Sequence, residues 1–193
     1  MLKLPRDREI AAIVPVYGER GDCTCLHLRD GRECLLPVQM KTVLRLLARR
    51  HGKVVPLMRE WAAQRTHGKM FQPLPFGVEL VLAPFKAREP RVTGDSTLGG
   101  VNMSHLAGVG EMERSPSSAV FAAALLAGGR HRRPRRFALL RLRSGRHIPA
   151  LWSQRTLHKH LKEARLVHAI LVREMHEAML YELREHIEND PIH

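Results

Sequence analysis

The chain carries one segment twice, and this internal repeat limits its possible folds more than any other feature. Residues 26–47 read LHLRDGRECLLPVQMKTVLRLL, and residues 140–161 read LRLRSGRHIPALWSQRTLHKHL. Aligned without a gap, the segments are identical at Leu26/Leu140, Leu28/Leu142, Arg29/Arg143, Gly31/Gly145, Arg32/Arg146, Thr42/Thr156 and Leu47/Leu161. In each copy, a glycine turn precedes apolar residues with helical spacing. The pattern predicts a β-hairpin and an amphipathic helix, repeated over residues 26–50 and 140–164.

The hairpin turns carry strong local signals. Asp30-Gly31 stands between the arms of the first copy, and Ser144-Gly145 between those of the second. Such dipeptides between apolar runs are typical of two-residue hairpin turns. The predicted arms are residues 23–29 with 32–36, and residues 137–143 with 146–150.

The helix of the first copy is predicted at residues 39–50. Its buried stripe is Met40, Val43, Leu44 and Leu47. The opposite face is basic and carries Lys41, Arg45 and Arg49. Residues that recur three and four apart share one face of a helix, so the two sets point in opposite directions.

The helix of the second copy is longer. It begins after Ser153, a good N-cap residue, and no Gly or Pro interrupts it before Pro191. Its first half is basic and its second half is acidic. An apolar seam runs along it and either docks on the chain's own core or forms a dimer contact: Leu157, Leu161, Ala164, Val167, Leu171, Met175, Ala178 and Leu183.

The rest of the chain is divided by turn residues. Strands are predicted at residues 9–17 and 78–82, and residues 53–67 form either a short helix or a loop. Ser115-Pro116 is typical of a helix start, and the Arg-rich run GRHRRPRR at residues 129–136 reads as a flexible arm. We therefore predict one domain over residues 1–193, with an α+β fold of β-hairpins, two repeated hairpin–helix units and a long C-terminal helix.

The charge of the chain indicates a polyanionic partner. Lys and Arg total 32 against 19 Asp and Glu, which gives a formal net charge of +13. Such a surface attracts DNA, RNA or acidic membranes. Aromatic residues are only 5% of the chain. The stacking platforms of single-strand and RNA binders are thus weakly represented, which favours duplex DNA.

Apolar runs and cysteines indicate a cytoplasmic protein, and the predicted DNA binding makes it nucleoid-associated. The longest apolar runs are far shorter than the ~20 residues that span a bilayer. Residues 10–17 are interrupted by Pro15 and favour a strand rather than a signal peptide. The odd number of cysteines, three, fits a reducing compartment better than a disulfide framework.

We predict no enzymatic activity, no cofactor and no metal site. The phosphate loop and HExxH patterns are absent from the sequence, and His158 and His160 diverge on a helix. A zinc site remains an alternative, because a two-residue turn sets His27 opposite Cys34, near Cys23 and Cys25. Cysteines that alternate along one strand are more typical of core residues.

The candidate DNA contacts are basic residues that reach phosphates or enter a minor groove. The second copy supplies the main contacts, and the first copy is its structural partner with a secondary contact. The contacts comprise the arm (Arg130, Arg132, Arg133, Arg135, Arg136), the second hairpin and helix (Arg143, Arg146, Arg155) and the first helix (Lys41, Arg45, Arg49).

One stretch also resembles a known family. The run Cys34-Leu-Leu-Pro-Val38-Gln-Met40-Lys41 resembles the Cys-x-x-x-Val-x-Met-Lys stretch of the ComK competence transcription factors. Further short motifs follow in the family's order: Pro84 with residues 80–85, Met103-Ser104-His105, Ser144-Gly145-Arg146 with Pro149, and Met179-Leu180-Tyr181. Departures are Asn102 in place of Trp, an insertion over residues 115–136, and Glu182 in place of Pro.

The resemblance implies an activator that binds A/T-rich duplex DNA through the minor groove and regulates competence and DNA-uptake genes. It implies a homodimer or tetramer, with RNA polymerase or a protease adaptor as further partners. Residues 101–106 also resemble the end of LytTR-type DNA-binding domains. Two alternatives stay open: an RNA-binding regulator, and a protein-interaction module that works through the acidic end of the last helix.

Overall fold

The computed structural model describes residues 2–19, 21–68, 70–111 and 137–189, with side chains as far as His186. The predicted helix that starts at Ser115-Pro116 and the Arg-rich arm lie outside the described residues. Among the described residues, no helix combines the length and hydropathy that crossing a bilayer requires.

Nine strands and three helices follow one another along the described chain. The first part contains β1 (Ile10–Gly18), β2 (Gly21–Leu28), β3 (Glu33–Leu36), α1 (Met40–Arg50) and α2 (Val55–Thr66). The second part contains β4 (Leu74–Gly77), β5 (Leu80–Lys86), β6 (Leu98–Asn102), β7 (Leu106–Glu111), β8 (Ala138–Leu142), β9 (His147–Ala150) and α3 (Gln154–Asn189). Single 3₁₀ turns, Asp7–Glu9 and Met103–His105, precede β1 and β7.

The strands form two antiparallel sheets. The larger sheet has six strands in the order β3-β2-β1-β6-β5-β4, and the smaller one has the order β7-β8-β9. Neighbouring residues of a strand point to opposite faces. Accordingly, Ile13 packs toward α1, while Val14 packs in the core that holds the small sheet and α3. The predicted α+β fold with hairpins and a long C-terminal helix is confirmed.

The helix of the first repeat matches its prediction closely. All four residues of the predicted stripe in α1 are buried: Met40, Val43, Leu44 and Leu47. The helix stops before Gly52, whose φ of 61° lies in the left-handed region that glycine adopts without strain.

Residues 53–67, predicted as either a short helix or a loop, contain α2. Pro56 lies in its first turn, where a missing N–H has no cost.

The strand predicted at residues 78–82 is displaced. β5 starts at Leu80 and continues through Pro84 to Lys86. Proline is tolerated in this strand because β4 pairs with β5 only as far as Leu82. Pro84 lies beyond that pairing and opposes Gly100 of β6 on its other side. Its missing N–H therefore breaks no ladder bond with β4.

The predicted register of the first hairpin was wrong by one residue. The Leu28 N–H donates to the Arg32 carbonyl at 2.8 Å, and the Gly31 N–H donates to the Leu28 carbonyl at 3.0 Å. These bonds close a three-residue loop in which Gly31 has a φ of 86°. As a result, His27 opposes Glu33 and not Cys34.

The apolar seam of the long helix divides into two parts. Ser153 caps the helix by accepting a hydrogen bond from the Thr156 N–H at 3.2 Å. Residues on the first four turns are buried in the core that they share with the small sheet: Leu157, Leu161, Ala164 and Val167. Farther along, Met175 and Leu183 are 44% and 53% exposed. The first part of the seam thus docks on the chain's own core, and the dimer contact remains a prediction for the second part.

Candidate nucleic-acid interface

The repeat is longer in the structure than in the sequence. Each copy consists of a 3₁₀ turn, three antiparallel strands and a helix: Asp7–Glu9 with β1, β2, β3 and α1, and Met103–His105 with β7, β8, β9 and α3. The Arg29 N–H donates to the Glu9 carbonyl at 2.8 Å, and the Arg143 N–H donates to the His105 carbonyl at 2.9 Å. The same backbone bond therefore ties each hairpin to its 3₁₀ turn.

Local irregularities are also repeated. In both copies the first strand is bulged where it leaves the 3₁₀ turn: Ile10 and Ala12 pair with consecutive residues of β2, and Leu106 and Gly108 with consecutive residues of β8. The second hairpin has the same three-residue loop as the first, with a φ of 82° at Gly145. A shared bulge and a shared loop indicate one structural unit used twice.

The tips of the two hairpins touch each other. The Arg146 Nε donates to the Gly31 carbonyl at 2.9 Å. A Cβ placed on Gly31 would lie 3.7 Å from the Ser144 Cβ, so the backbones are in close contact. The adjoining 3₁₀ turns meet as well, with His105 Nε2 2.8 Å from the Arg8 carbonyl. We call residues 29–32 and 143–146, together with Arg8, the paired-turn surface.

Five exposed arginines stand on this surface: Arg8, Arg29, Arg32, Arg143 and Arg146. Asp30 pairs with Arg32 at 2.7 Å, and Glu33 lies 3.7 Å from Arg146. Among the described residues, the other three arginines have no carboxylate within ion-pair distance. The Arg143 Nε donates to the Ser104 carbonyl at 3.1 Å, which orients the guanidinium without neutralising its charge. The surface therefore offers oriented, uncompensated positive charge, which suits phosphate.

Two titratable side chains, His27 and Cys25, lie beneath the turns. Burial lowers the pKa of His27, with the neighbouring Glu33 carboxylate acting in the opposite direction. Burial also raises the pKa of the Cys25 thiol to about 11. Both groups are thus neutral near pH 7. Among the described residues no group of three Cys, His, Asp or Glu could hold a metal ion. The zinc alternative assumed that His27 lies opposite Cys34, and this was wrong.

The predicted contacts on α1 are spread along the helix. All three residues are exposed: Lys41, Arg45 and Arg49. The last turn of α1 adjoins the paired-turn surface, because Arg50 Nη1 donates to Asp7 Oδ1 at 2.9 Å in the first 3₁₀ turn. The first turn, with Lys41, lies at the far end of the helix. Arg49 therefore stands closest to the surface, and Lys41 stands apart from it.

Arg155 lies at the other end of the small sheet. The Ala138 N–H donates to the Trp152 carbonyl at 3.2 Å, which fixes the start of β8 beside the start of α3. The five residues of β8 separate this end from the second turn by roughly 17 Å, at about 3.4 Å per residue. The arm residues Arg130, Arg132, Arg133, Arg135 and Arg136 lie outside the described residues. The predicted contacts thus do not form one cluster within the described structure.

Sequence reasoning missed three of the five arginines on the paired-turn surface. Arg29 and Arg32 were not among the predicted contacts, although the repeat aligns them with Arg143 and Arg146. That alignment was the signal that could have identified them. Arg8 had no comparable signal, because its place depends on the long-range contact of its carbonyl with His105.

Comparison of the chain with protein-family models, with curated proteins and with solved structures finds no match.

Proposed function

We propose that this chain is a regulator that binds duplex DNA through the paired-turn surface. One observation carries the proposal: the two Arg-x-Gly-Arg turns of the repeat touch at their tips. A duplication alone gives two separate basic loops. Their direct contact gives a single surface on which Arg29 and Arg143, which have no carboxylate partner among the described residues, act together.

The shape of the turns favours a groove over a flat contact. Between its arginines each tip carries only short side chains, Asp30 and Gly31 in one turn and Ser144 and Gly145 in the other. A slender tip with a guanidinium can enter a minor groove. Narrow A/T-rich grooves have the enhanced negative potential that attracts arginine. This supports the A/T-rich preference, which the resemblance to the ComK family also implies.

The surface lacks the features of a single-strand or RNA binder. The two turns, residues 29–32 and 143–146, contain no aromatic side chain on which a base could stack. Described aromatic residues such as Phe71 and Trp152 pack against each other instead. Duplex DNA is therefore the preferred partner, and control of competence genes is the finer expectation that the resemblance supplies.

A titration of A/T-rich and G/C-rich duplexes at several salt concentrations tests the proposal. We expect tighter binding to the A/T-rich duplex and a steep loss of affinity with salt, because binding releases counterions from phosphates. The double variant R29Q/R143Q removes two uncompensated charges of the surface. It should lower the affinity for both duplexes by about ten-fold or more at low salt.

The matched control is K162Q/R165Q on α3. Both side chains are exposed and form no ion pair with a described residue, so the control loses the same charge elsewhere. Equal losses in the two double variants would mean that net charge alone drives binding, which contradicts the proposal. Stronger binding to structured RNA than to either duplex would favour the RNA alternative.

A further inference from the structure

A second possible site lies far from the paired-turn surface. A cavity of about 600 Å³ opens to solvent between α1, α2 and the face of the six-stranded sheet that they cover. This volume is in the range of small-molecule sites. Its wall is mainly apolar and includes Met40, Leu44, Ala63, Phe71, Leu74 and Leu82.

One buried polar group in this wall is only half satisfied. Gln72 is 8% exposed, and its side-chain Oε1 lies 2.8 Å from the Thr66 hydroxyl. Its Nε2 has no hydrogen-bond partner among the described residues. The Thr66 hydroxyl has one proton and also lies 2.9 Å from the Ala62 carbonyl. In either orientation of the Gln72 amide, either Oε1 or Nε2 of Gln72 therefore remains without a partner among the described residues. A buried amide atom without a protein partner is costly unless water or a ligand completes its bonding.

The charged groups of the wall favour an anion. Lys41 and Arg59 both line the cavity, and neither forms an ion pair with a described residue. Among the described residues of the wall, Glu60 is the single acidic one. Two cations against one carboxylate attract a negatively charged head group, while the apolar wall removes a hydrocarbon body from water.

The backbone beside the cavity is strained. Phe71 has a φ of 57°, a left-handed conformation that is unfavourable for an aromatic residue. Its ring lies 5.1 Å from Trp152, centre to centre, which holds it beside α3. Such conformations persist where surrounding contacts enforce them, and they are concentrated at binding sites.

We infer that this cavity binds a small organic acid, with its apolar body against Leu44 and Leu82 and its carboxylate toward Lys41 and Arg59. The half-satisfied Gln72 amide belongs to the same wall. The inference does not depend on DNA binding, and its test needs no DNA.

Calorimetric titration with a matched pair of probes tests the inference on the full chain. 4-Phenylbutanoate carries the carboxylate, and 4-phenylbutan-1-ol has the same body without a charge. We expect the acid to bind at least ten-fold more tightly than the alcohol. K41Q/R59Q should bring the two affinities within about two-fold of each other, because it removes the two cations.

Filling the cavity supplies the second arm of the test. Ala63 on α2 is half-buried and lines the cavity, so A63W should abolish binding of both probes. S96W fills it from another wall if the first variant fails to fold. The matched control is A169W at an exposed position of α3, which should bind like the wild type. Failure of the acid to bind, equal binding of acid and alcohol, or unchanged binding in a folded A63W or S96W variant would each overturn the inference.

Discussion

At the scale of the residue, one ion pair of the described chain is almost fully buried. Arg88 is 2% exposed, and its Nη2 pairs with the Asp22 carboxylate. The guanidinium stacks on the Tyr17 ring at 3.8 Å from its centre, and its Nε donates to the Ser96 carbonyl at 2.7 Å. These contacts tie the adjoining ends of β1 and β2 to the segment after β5.

We therefore expect D22A to be strongly destabilising. It leaves the Arg88 charge buried without its carboxylate, and loss of one partner of a buried pair costs roughly 3–5 kcal/mol. Urea unfolding measures the change in the free energy of unfolding. E177A is the control: it breaks the exposed Arg173–Glu177 pair, which contributes about 0.3–0.5 kcal/mol. A loss below about 1 kcal/mol in D22A would show that the pair is not buried in solution.

His27, under the paired turns, links stability to pH. Burial holds its pKa below the ordinary value of 6.5, so the unfolded chain takes up the proton first as the pH falls. The stabilisation by neutral His27 is complete above pH 6.5 and is lost progressively below it. We expect the wild type to lose more free energy of unfolding between pH 7.5 and 5.5 than H27Q does.

The control for this pH dependence is H158Q, because His158 is exposed on α3. H158Q should follow the wild type at both pH values. Parallel pH profiles of the wild type and H27Q would contradict the assignment, since they would mean that other groups account for the acid sensitivity.

At the scale of the element, periodicity was a reliable guide and turn geometry was not. The α1 stripe and the long helix after Ser153 follow from spacing that the local sequence contains. The hairpin register does not, because Asp30-Gly31 is compatible with a two-residue turn and with a three-residue loop that starts at Arg29. In the structure the three-residue loop is accompanied by the Arg29 bond to the Glu9 carbonyl, a contact outside the hairpin.

In the far half of α3, the side chains from Met175 to His186 are exposed. Met175, Met179 and Leu183 are between 44% and 53% exposed. Exposed side chains gain little from burial, so removal of residues 176–193 should change the free energy of unfolding by less than about 1 kcal/mol in dilute solution. The shortened chain keeps Glu174, which lies 3.3 Å from Arg65.

Sedimentation of both chains checks what else this half of the helix does. If it is the predicted dimer contact, the full chain will associate with rising concentration and the shortened chain will stay monomeric. A shortened chain that associates like the full one would place any dimer contact elsewhere.

At the scale of the whole molecule, the duplication brings distant residues together. The repeat itself could be predicted, because its identities are present in the sequence. The contact between Gly31 and Arg146 could not be predicted. It depends on the pairing of β1, in the first copy, with β6, the strand that leads directly into the second copy. The sequence also favoured the second copy as the main DNA contact. The touching turns instead suggest that both copies contribute.

Single and double substitutions decide between these views. If both turns contact one duplex, R29Q and R143Q should each lower the affinity. Each should also reduce the slope of log affinity against log salt by about 0.9, the value for one lost phosphate contact on duplex DNA. R29Q/R143Q should show about twice the loss in slope, since separate phosphate contacts are close to additive. If R29Q instead keeps the wild-type affinity and slope while R143Q loses both, the second turn alone contacts DNA, and Gly31 and its neighbours only support Arg146.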